Sequence, residues 1–162
     1  MKAETWLPIL TLGLGWGLAQ VTEVVRDRRA GDREHRARQA ELQRATLLAL
    51  QDAALELSNL ASDVNLTGFI VTLEYPDEAS KEVAIERDVE AKARLREASR
   101  KTQLLLSRVQ DDQARKDAHL LLRAADMVRI LDQEAADKKL GELHARYGKL
   151  IDRLGELLRE RY

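Results

Sequence analysis

Apolar residues recur along most of this chain at alternating steps of three and four positions, which places them on one face of an α-helix. The first series lies in a long helical pattern from about residue 33 to residue 74. Tyr75-Pro76 ends it, because proline restricts the residue before it and cannot continue a helix. Its inward members are Leu50, Ala53, Leu57, Leu60, Val64, Thr67 and Val71, widened by Leu47, Ala54 and Ala61.

Three further helices are predicted downstream. The second covers about residues 76–109 with Pro76 in its first turn, and Asp111-Asp112 caps the third, at about residues 113–131. The fourth covers about residues 136–160, since the apolar series slips by one position just before it. A continuous helix across this slip, giving three long helices, is the alternative. The inward residues of these helices are Ala91, Leu95, Ala98, Thr102, Leu105 and Val109; Ala114, Ala118, Leu121, Ala125 and Val128; and Ala136, Leu140, Leu143, Tyr147, Leu150, Leu154 and Leu157.

Both versions describe an all-α, antiparallel up-down bundle with short connections, predicted over residues 39–162. The composition agrees, because charged residues make up 34% of the chain, aromatics only 4%, and there are two prolines. Residues 81–94, the first half of the second helix, are more polar than the rest. This half is expected to project beyond the core or to meet a partner.

The N-terminal residues 1–25 carry a different pattern, with no charge from Thr5 to Thr22. A helix from Thr5 to Val25 reaches roughly 30 Å, about the thickness of a bilayer's hydrocarbon core. This predicts a single transmembrane helix that continues into the bundle. A cleaved signal peptide and an interfacial or buried helix are the alternatives. The residues assigned to the span are Trp6, Leu7, Leu10, Leu14, Leu18 and Val21.

A basic juxtamembrane segment, residues 26–38, follows with six arginines against three acidic residues. Basic residues that flank a span stay on the cytoplasmic side. The prediction is therefore a single-pass protein of the cell membrane with a cytoplasmic C-terminal domain. The arginines expected to contact lipid headgroups are Arg26, Arg28, Arg29, Arg33, Arg36 and Arg38.

Two sets of glycines are candidates for close helix–helix contact. Gly13 and Gly17 form a G-x-x-x-G pair in the predicted span, which lets two helices approach closely. Gly141, Gly148 and Gly155 stand seven residues apart, each directly after an inward residue. The alternative for this second set is chance placement on an exposed face.

Residues able to carry chemistry are few. The chain has no cysteine and three histidines, and no Glu-x-x-His pair of the kind that binds metals in helical bundles. Phosphate-binding loops, nucleophile elbows and dinucleotide fingerprints are absent, and the net charge is −1. We therefore predict no catalytic, cofactor or metal site, no enzymatic activity and no nucleic-acid partner.

One resemblance rests on the N-terminal half. The motif T-W-L-P-x-x-T (Thr5–Thr11), then R-D-R-R (Arg26–Arg29), then LQRATLLALQDAALEL (Leu42–Leu57) is similar to that of short, uncharacterised, membrane-anchored helical proteins of high-GC bacteria. The resemblance implies an anchor and a helical bundle. It implies no activity and no functional residue.

Together these patterns predict a non-enzymatic membrane-tethered scaffold or interaction protein. Its cytoplasmic bundle is expected to form a homo-oligomer or to dock an unknown protein partner. The alternatives are a membrane-anchored bundle that senses or binds a small ligand, and a phage-type envelope-spanning coiled protein with the opposite topology. An apolar interior favours the scaffold, whereas a polar pocket favours the sensor.

Overall fold

The computed structural model describes the backbone of residues 7–161 and the side chains of residues 31–160. Over that range the chain is all-α, with four helices and no strand. The helices are α1 (Leu7–Val71), α2 (Glu78–Leu106), α3 (Asp112–Ile130) and α4 (Gln133–Arg161). The chain divides into two compact units, Met1–Glu41 and Leu42–Tyr162, and the bundle belongs to the second.

Side-chain contacts between helices establish the direction of each helix in this bundle. Two contacts join α1 to α2, and two join α1 to α4. In each case the contact that lies later along α1 lies earlier along the other helix, so the two helices are antiparallel. The connections 72–77, 107–111 and 131–132 are short enough for this up-down order. The contacts are Asp63 with Arg94 and Thr67 with Asp88 between α1 and α2, Ser62 with His144 and Asn65 with Asp137 between α1 and α4, and Asp111 with Arg153 between the ends of α3 and α4.

The core consists of leucine, alanine and valine from all four helices. On α3, all five predicted inward residues are buried, and on α4 the predicted series is buried except for Leu140 and Tyr147, which pack against the core partly exposed. Fully buried leucines occur on all four helices, and buried alanines lie beside them mainly on α1, α2 and α3, where the small side chain lets the helix backbones approach closely. The predicted all-α, four-helix bundle is confirmed, and the alternative of three long helices is wrong.

On α1 the buried face lies to one side of the predicted series. Leu47, Ala54 and Ala61, predicted only to widen the stripe, are buried, whereas Ala53 and Leu60 are half-buried. An apolar stripe about 100° wide is compatible with both series, so the packing of α2 and α4 against α1 selects between them.

On α2 the buried face begins earlier than predicted. Ala84 and Asp88 are buried on the same side as Ala91 and Leu95. The first half of α2 is therefore part of the bundle along one face, and only its other faces are exposed. The charge of Asp88 interrupts the apolar series, so the sequence pattern does not show that the buried face continues toward the start of α2.

An aspartate side chain accepts a hydrogen bond from a backbone amide at the N-terminus of each helix that follows a turn. Asp77 is the N-cap of α2 and accepts from the Ser80 amide at 2.7 Å, so the placement of Pro76 inside the first turn is wrong. Asp111 caps α3 as predicted, accepting from the Ala114 amide at 2.8 Å. These side chains satisfy amides that have no partner within the helix.

The turn between α3 and α4 needs neither glycine nor proline. Leu131 is extended, with φ −83° and ψ 161°, and its backbone ends α3. Asp132 then accepts from the Ala135 amide at 3.0 Å. The side chain of Asp132 therefore supports the break that the slip in the apolar series predicted.

The predicted membrane span lies outside the residues whose side chains the structure describes, and so do its G-x-x-x-G pair and the first arginines. Within the part of the chain that is described, no helix combines the length and apolarity needed to cross a membrane. The predicted residues that fall outside are Trp6, Leu7, Leu10, Gly13, Leu14, Gly17, Leu18, Val21, Arg26, Arg28 and Arg29.

We predict that Leu154→Ala lowers the free energy of unfolding by about 2–5 kcal/mol, because Leu154 is fully buried and its loss leaves a cavity. The control is Leu42→Ala, at a side chain that is 67% exposed, with an expected change within about 0.5 kcal/mol. Chemical denaturation of the full chain followed by circular dichroism measures both. Equal effects would contradict the assigned core.

We predict an acid-sensitive start of α2. The Ser80 amide, and then its hydroxyl, donate to Asp77 and lower the pKa of its carboxyl below the usual 3.8. A lowered pKa stabilises the fold above pH 3.8, and this contribution is lost as the pH falls through the folded-state pKa.

The gap in thermal midpoint between the natural protein and Asp77→Ala should therefore shrink as the pH is lowered from about 5 to about 2. Asp77→Asn is the control, since it keeps an acceptor that does not titrate. A gap that stays constant with pH would show that the carboxylate has no part in capping.

Candidate interaction surfaces

A groove of about 430 Å³ runs along the outside of α3 and α4. Its residues on α3 and at the C-cap of α3, Leu131, follow steps of mostly three and four, so they form one face of that helix. From Leu120 to Leu131 this face extends roughly 16 Å. The apolar residues that line the groove are Leu120, Ala124, Met127 and Leu131, and α4 contributes Lys139, Glu142 and Arg146.

The edges of this groove are positively charged. Arg123 and Arg146 line it, and among the side chains described here neither lies within salt-bridge distance of a carboxylate. Lys139 donates to Glu142 at 2.7 Å and is the main reason that the pKa of the Glu142 carboxyl is lowered. Arg146 adds to that lowering. The groove therefore combines an apolar floor with a net positive edge.

The outward face of α2 has the opposite charge. Four exposed glutamates stand four residues apart in its first half, so they form a row along one side of the helix. Ile85 and Val89, 43% and 60% exposed, lie beside the row. In the described part of the chain none of these glutamates closes a salt bridge. The row is Glu78, Glu82, Glu86 and Glu90.

Apolar side chains are exposed on and around the α1–α2 hairpin. Leu66 and Phe69 on α1, Leu73 in the connection and Val83 on α2 are each roughly half exposed. Exposed large apolar residues that gather in one region are typical of surfaces that meet another molecule.

A buried carboxylate joins α1 to α2. Asp88 is 8% exposed, accepts from the Thr67 hydroxyl at 3.2 Å and pairs with Lys92 at 2.6 Å. The four-residue step from Ala84 to Asp88 is the signal that could have placed this carboxylate on the inner face.

Polar contacts also join α1 to α4 near the turn between α3 and α4. Asn65 donates to Asp137 at 2.7 Å, and Gln133 donates to the side-chain oxygen of Asn65 at 3.2 Å. His144, which is exposed, lies 3.3 Å from the Ser62 hydroxyl. None of these contacts is predicted by the sequence, because each joins residues that are far apart along the chain.

Asp111 has two roles at the opposite end of the bundle. Besides capping α3, its carboxylate pairs with Arg153 of α4 at 2.8 Å. The hydrogen bond to Asp111, followed by that to Glu156, raises the pKa of the Arg153 guanidinium. The side chain of Gln43 donates to the Arg108 carbonyl at 2.9 Å, so α1 is attached to the same end.

The histidines do not form a metal site in the part of the chain that the structure describes. His35, His119 and His144 are all exposed. Over the same residues, no group of three histidine, aspartate or glutamate side chains is close enough to hold a metal ion.

The three glycines of α4 do not contact another helix of the bundle. A Cβ atom added to Gly141 or Gly148 would meet nothing within 4 Å, and one added to Gly155 would meet only the side chain of Arg159, at 3.4 Å. Packing within the chain therefore does not explain their spacing. Contact with another molecule at these glycines stays a prediction.

The predicted headgroup-binding arginines that can be described lie on α1. Arg33, Arg36 and Arg38 are exposed, and Arg38 pairs with Glu34 at 2.5 Å. The contact of these arginines with lipid stays a prediction.

No family model, curated protein or solved structure matches this chain.

We predict that Asp111→Ala lowers the free energy of unfolding by at least about 1 kcal/mol, because the cap of α3 and the partner of Arg153 are lost together. Asp111→Asn keeps an acceptor for the cap and should lose less. Asp112→Ala, at a side chain that is 92% exposed, is the control, with an expected change within about 0.5 kcal/mol. Denaturant titration measures all three, and a larger loss for the control would refute the role of Asp111.

Proposed function

We propose that this chain is a non-enzymatic, membrane-tethered scaffold or interaction protein whose helical bundle associates with itself or docks a protein partner. The observation that carries the proposal is the chemistry of the interior. Among the side chains of residues 31–160, the large ones that are fully buried are leucines and valines, and Thr102 is the one polar member. Such an interior stabilises a fold and offers a small ligand few polar groups.

Three of the buried polar side chains in the described part of the chain, Asp88, Ser99 and Thr102, are bonded to neighbours, whereas the Nε atom of Arg129 is buried there without a hydrogen-bond partner. Thr102 donates to the Ala98 carbonyl at 2.9 Å, and Ser99 donates to Asp126 at 3.4 Å. A ligand-binding bundle needs several polar groups that converge on one cavity. The groove lies open on the outside of α3 and α4, and the smaller hollow beside Tyr75, which Thr67, Ser80 and Arg87 also line, holds about 130 Å³, below the roughly 300 Å³ at which small-molecule pockets begin. These observations favour a scaffold over a sensor.

The exterior supports docking. Large apolar residues are exposed on α1, on α2 and at the turns, and charges of opposite sign occupy different faces of the bundle. Surfaces of this composition suit contact between proteins, where aliphatic side chains pack and charges select the partner.

The tether rests on the amino-acid sequence. The uncharged run from Thr5 to Thr22 is long enough to span a bilayer, and the arginines that follow favour a cytoplasmic bundle. A tether of this kind would concentrate the bundle at the membrane surface, where weak contacts between copies become effective.

We expect that deletion of residues 1–25 releases the chain from membranes as a soluble helical protein, because the predicted span is removed. Sedimentation of the full and truncated chains with membranes, followed by circular dichroism, tests this. Leu10→Arg together with Leu14→Arg in the full chain is a matched variant, since charges at the centre of a span oppose insertion. A truncated chain that still sediments with membranes would overturn the tether.

The orientation has its own test. A reporter that is active only in the cytoplasm should be active when it is fused after Tyr162, because the arginines that follow the predicted span favour a cytoplasmic bundle. Activity on the opposite side would favour the envelope-spanning alternative.

A further inference from the structure

The glutamate row of α2 places like charges side by side, although Glu78 lies in the first turn, where negative charge is favourable, and basic residues stand three or four positions from Glu78 and Glu90. Like charges four residues apart destabilise a helix by roughly 0.2–0.5 kcal/mol for each pair. The buried face of α2 does not explain the row, since the glutamates are exposed on the other side. Ile85 and Val89 beside the row are also exposed to solvent. A partner with apolar and positively charged groups would relieve both features.

The α3–α4 groove has the matching chemistry. Its floor is aliphatic, and Arg123 and Arg146 stand at its edge without a salt bridge among the described residues. Lys139 lowers the pKa of the Glu142 carboxyl chiefly through its hydrogen bond, and the charge of Arg146 adds to this lowering. An acidic segment with aliphatic side chains is the occupant that this groove fits.

The two surfaces also match in length. The row from Glu78 to Glu90 rises roughly 18 Å along α2, and the groove from Leu120 to Leu131 extends roughly 16 Å. Within one chain α2 already packs its inner face into the bundle, so its outer face is available only to another molecule.

We propose that the outward face of α2 in one copy of this chain, Glu78–Glu90, docks into the α3–α4 groove of a second copy. Ile85 and Val89 pack on the aliphatic floor, while the glutamates meet Arg123 and Arg146. The inference rests on the proposed function, since it names the partner of the scaffold as a second copy. Because the two surfaces differ, the contact is heterologous: one copy keeps a free groove and the other keeps a free glutamate row, and both can bind further copies unless the assembly closes into a ring.

The test reverses charges on each surface in the full chain. The groove variant combines Arg123→Glu with Arg146→Glu, and the row variant combines Glu82→Arg with Glu86→Arg. Each variant alone should self-associate about tenfold more weakly or worse, because like charges then face each other. An equimolar mixture of the two should recover association, since the groove of the row variant is intact and the reversed surfaces are complementary.

Analytical ultracentrifugation of the detergent-solubilised chain measures the association, and circular dichroism checks that each variant is folded. Lys101→Glu and Asp52→Arg are the matched controls, because both residues are exposed and lie on neither surface. Association of the natural protein should also weaken as salt is raised from about 50 mM to about 500 mM.

Three outcomes would overturn the inference: a natural protein that is monomeric, variants that associate normally, or a mixture that does not recover. Loss of binding to anionic vesicles by the groove variant, with self-association unchanged, would assign the groove to lipid headgroups instead. Failure of the proposed tether would give a different result. The natural full chain would not sediment with membranes, whether or not the charge-reversal variants self-associate.

Discussion

Close packing of small and large aliphatic side chains along four helices is the constraint on which this structure depends. Fully buried leucines such as Leu57 and Leu150 fill the space between helices, while alanines such as Ala54 and Ala118 bring the backbones together. Little area is buried at each alanine, so the core must be long to be stable. Any helix that shifted its register would separate these complementary positions, because interiors are packed nearly as densely as crystals.

Much of this fold could be predicted because the three- and four-residue spacing directly identifies an apolar face. On α3 and α4 one apolar series dominates, so most predicted inward residues belong to the core, although α3 also buries Leu122 and Ala124. On α1 two adjacent apolar series overlap, and the sequence alone does not decide between Ala53 and Ala54. The packing of α2 and α4 against α1 determines which of the two series is buried, and the local pattern of α1 carries no information about that packing. Asp88 was missed for a related reason, since its charge concealed a buried position.

The candidate surfaces were less predictable. The four-residue spacing of the glutamates is visible in the sequence, as are the arginines. Which charged side chains become neighbours in space, however, depends on how the helices pack against one another. The pairing of Asp111 with Arg153 joins residues 42 positions apart. Likewise, Leu120 and Arg146 share a groove only because α3 and α4 are antiparallel neighbours. Local spacing thus identifies the faces of single helices, and tertiary packing determines which faces form a surface.

In the proposed assembly, stability and association depend on different sets of residues. Aliphatic contacts in the core hold the helices together. The exposed charges on the outside contribute little to the free energy of folding. A row of like charges on α2 can persist because the buried face of the same helix, from Ala84 to Leu106, supplies the stabilisation that the row opposes. The same residues become favourable once a positively charged surface covers them.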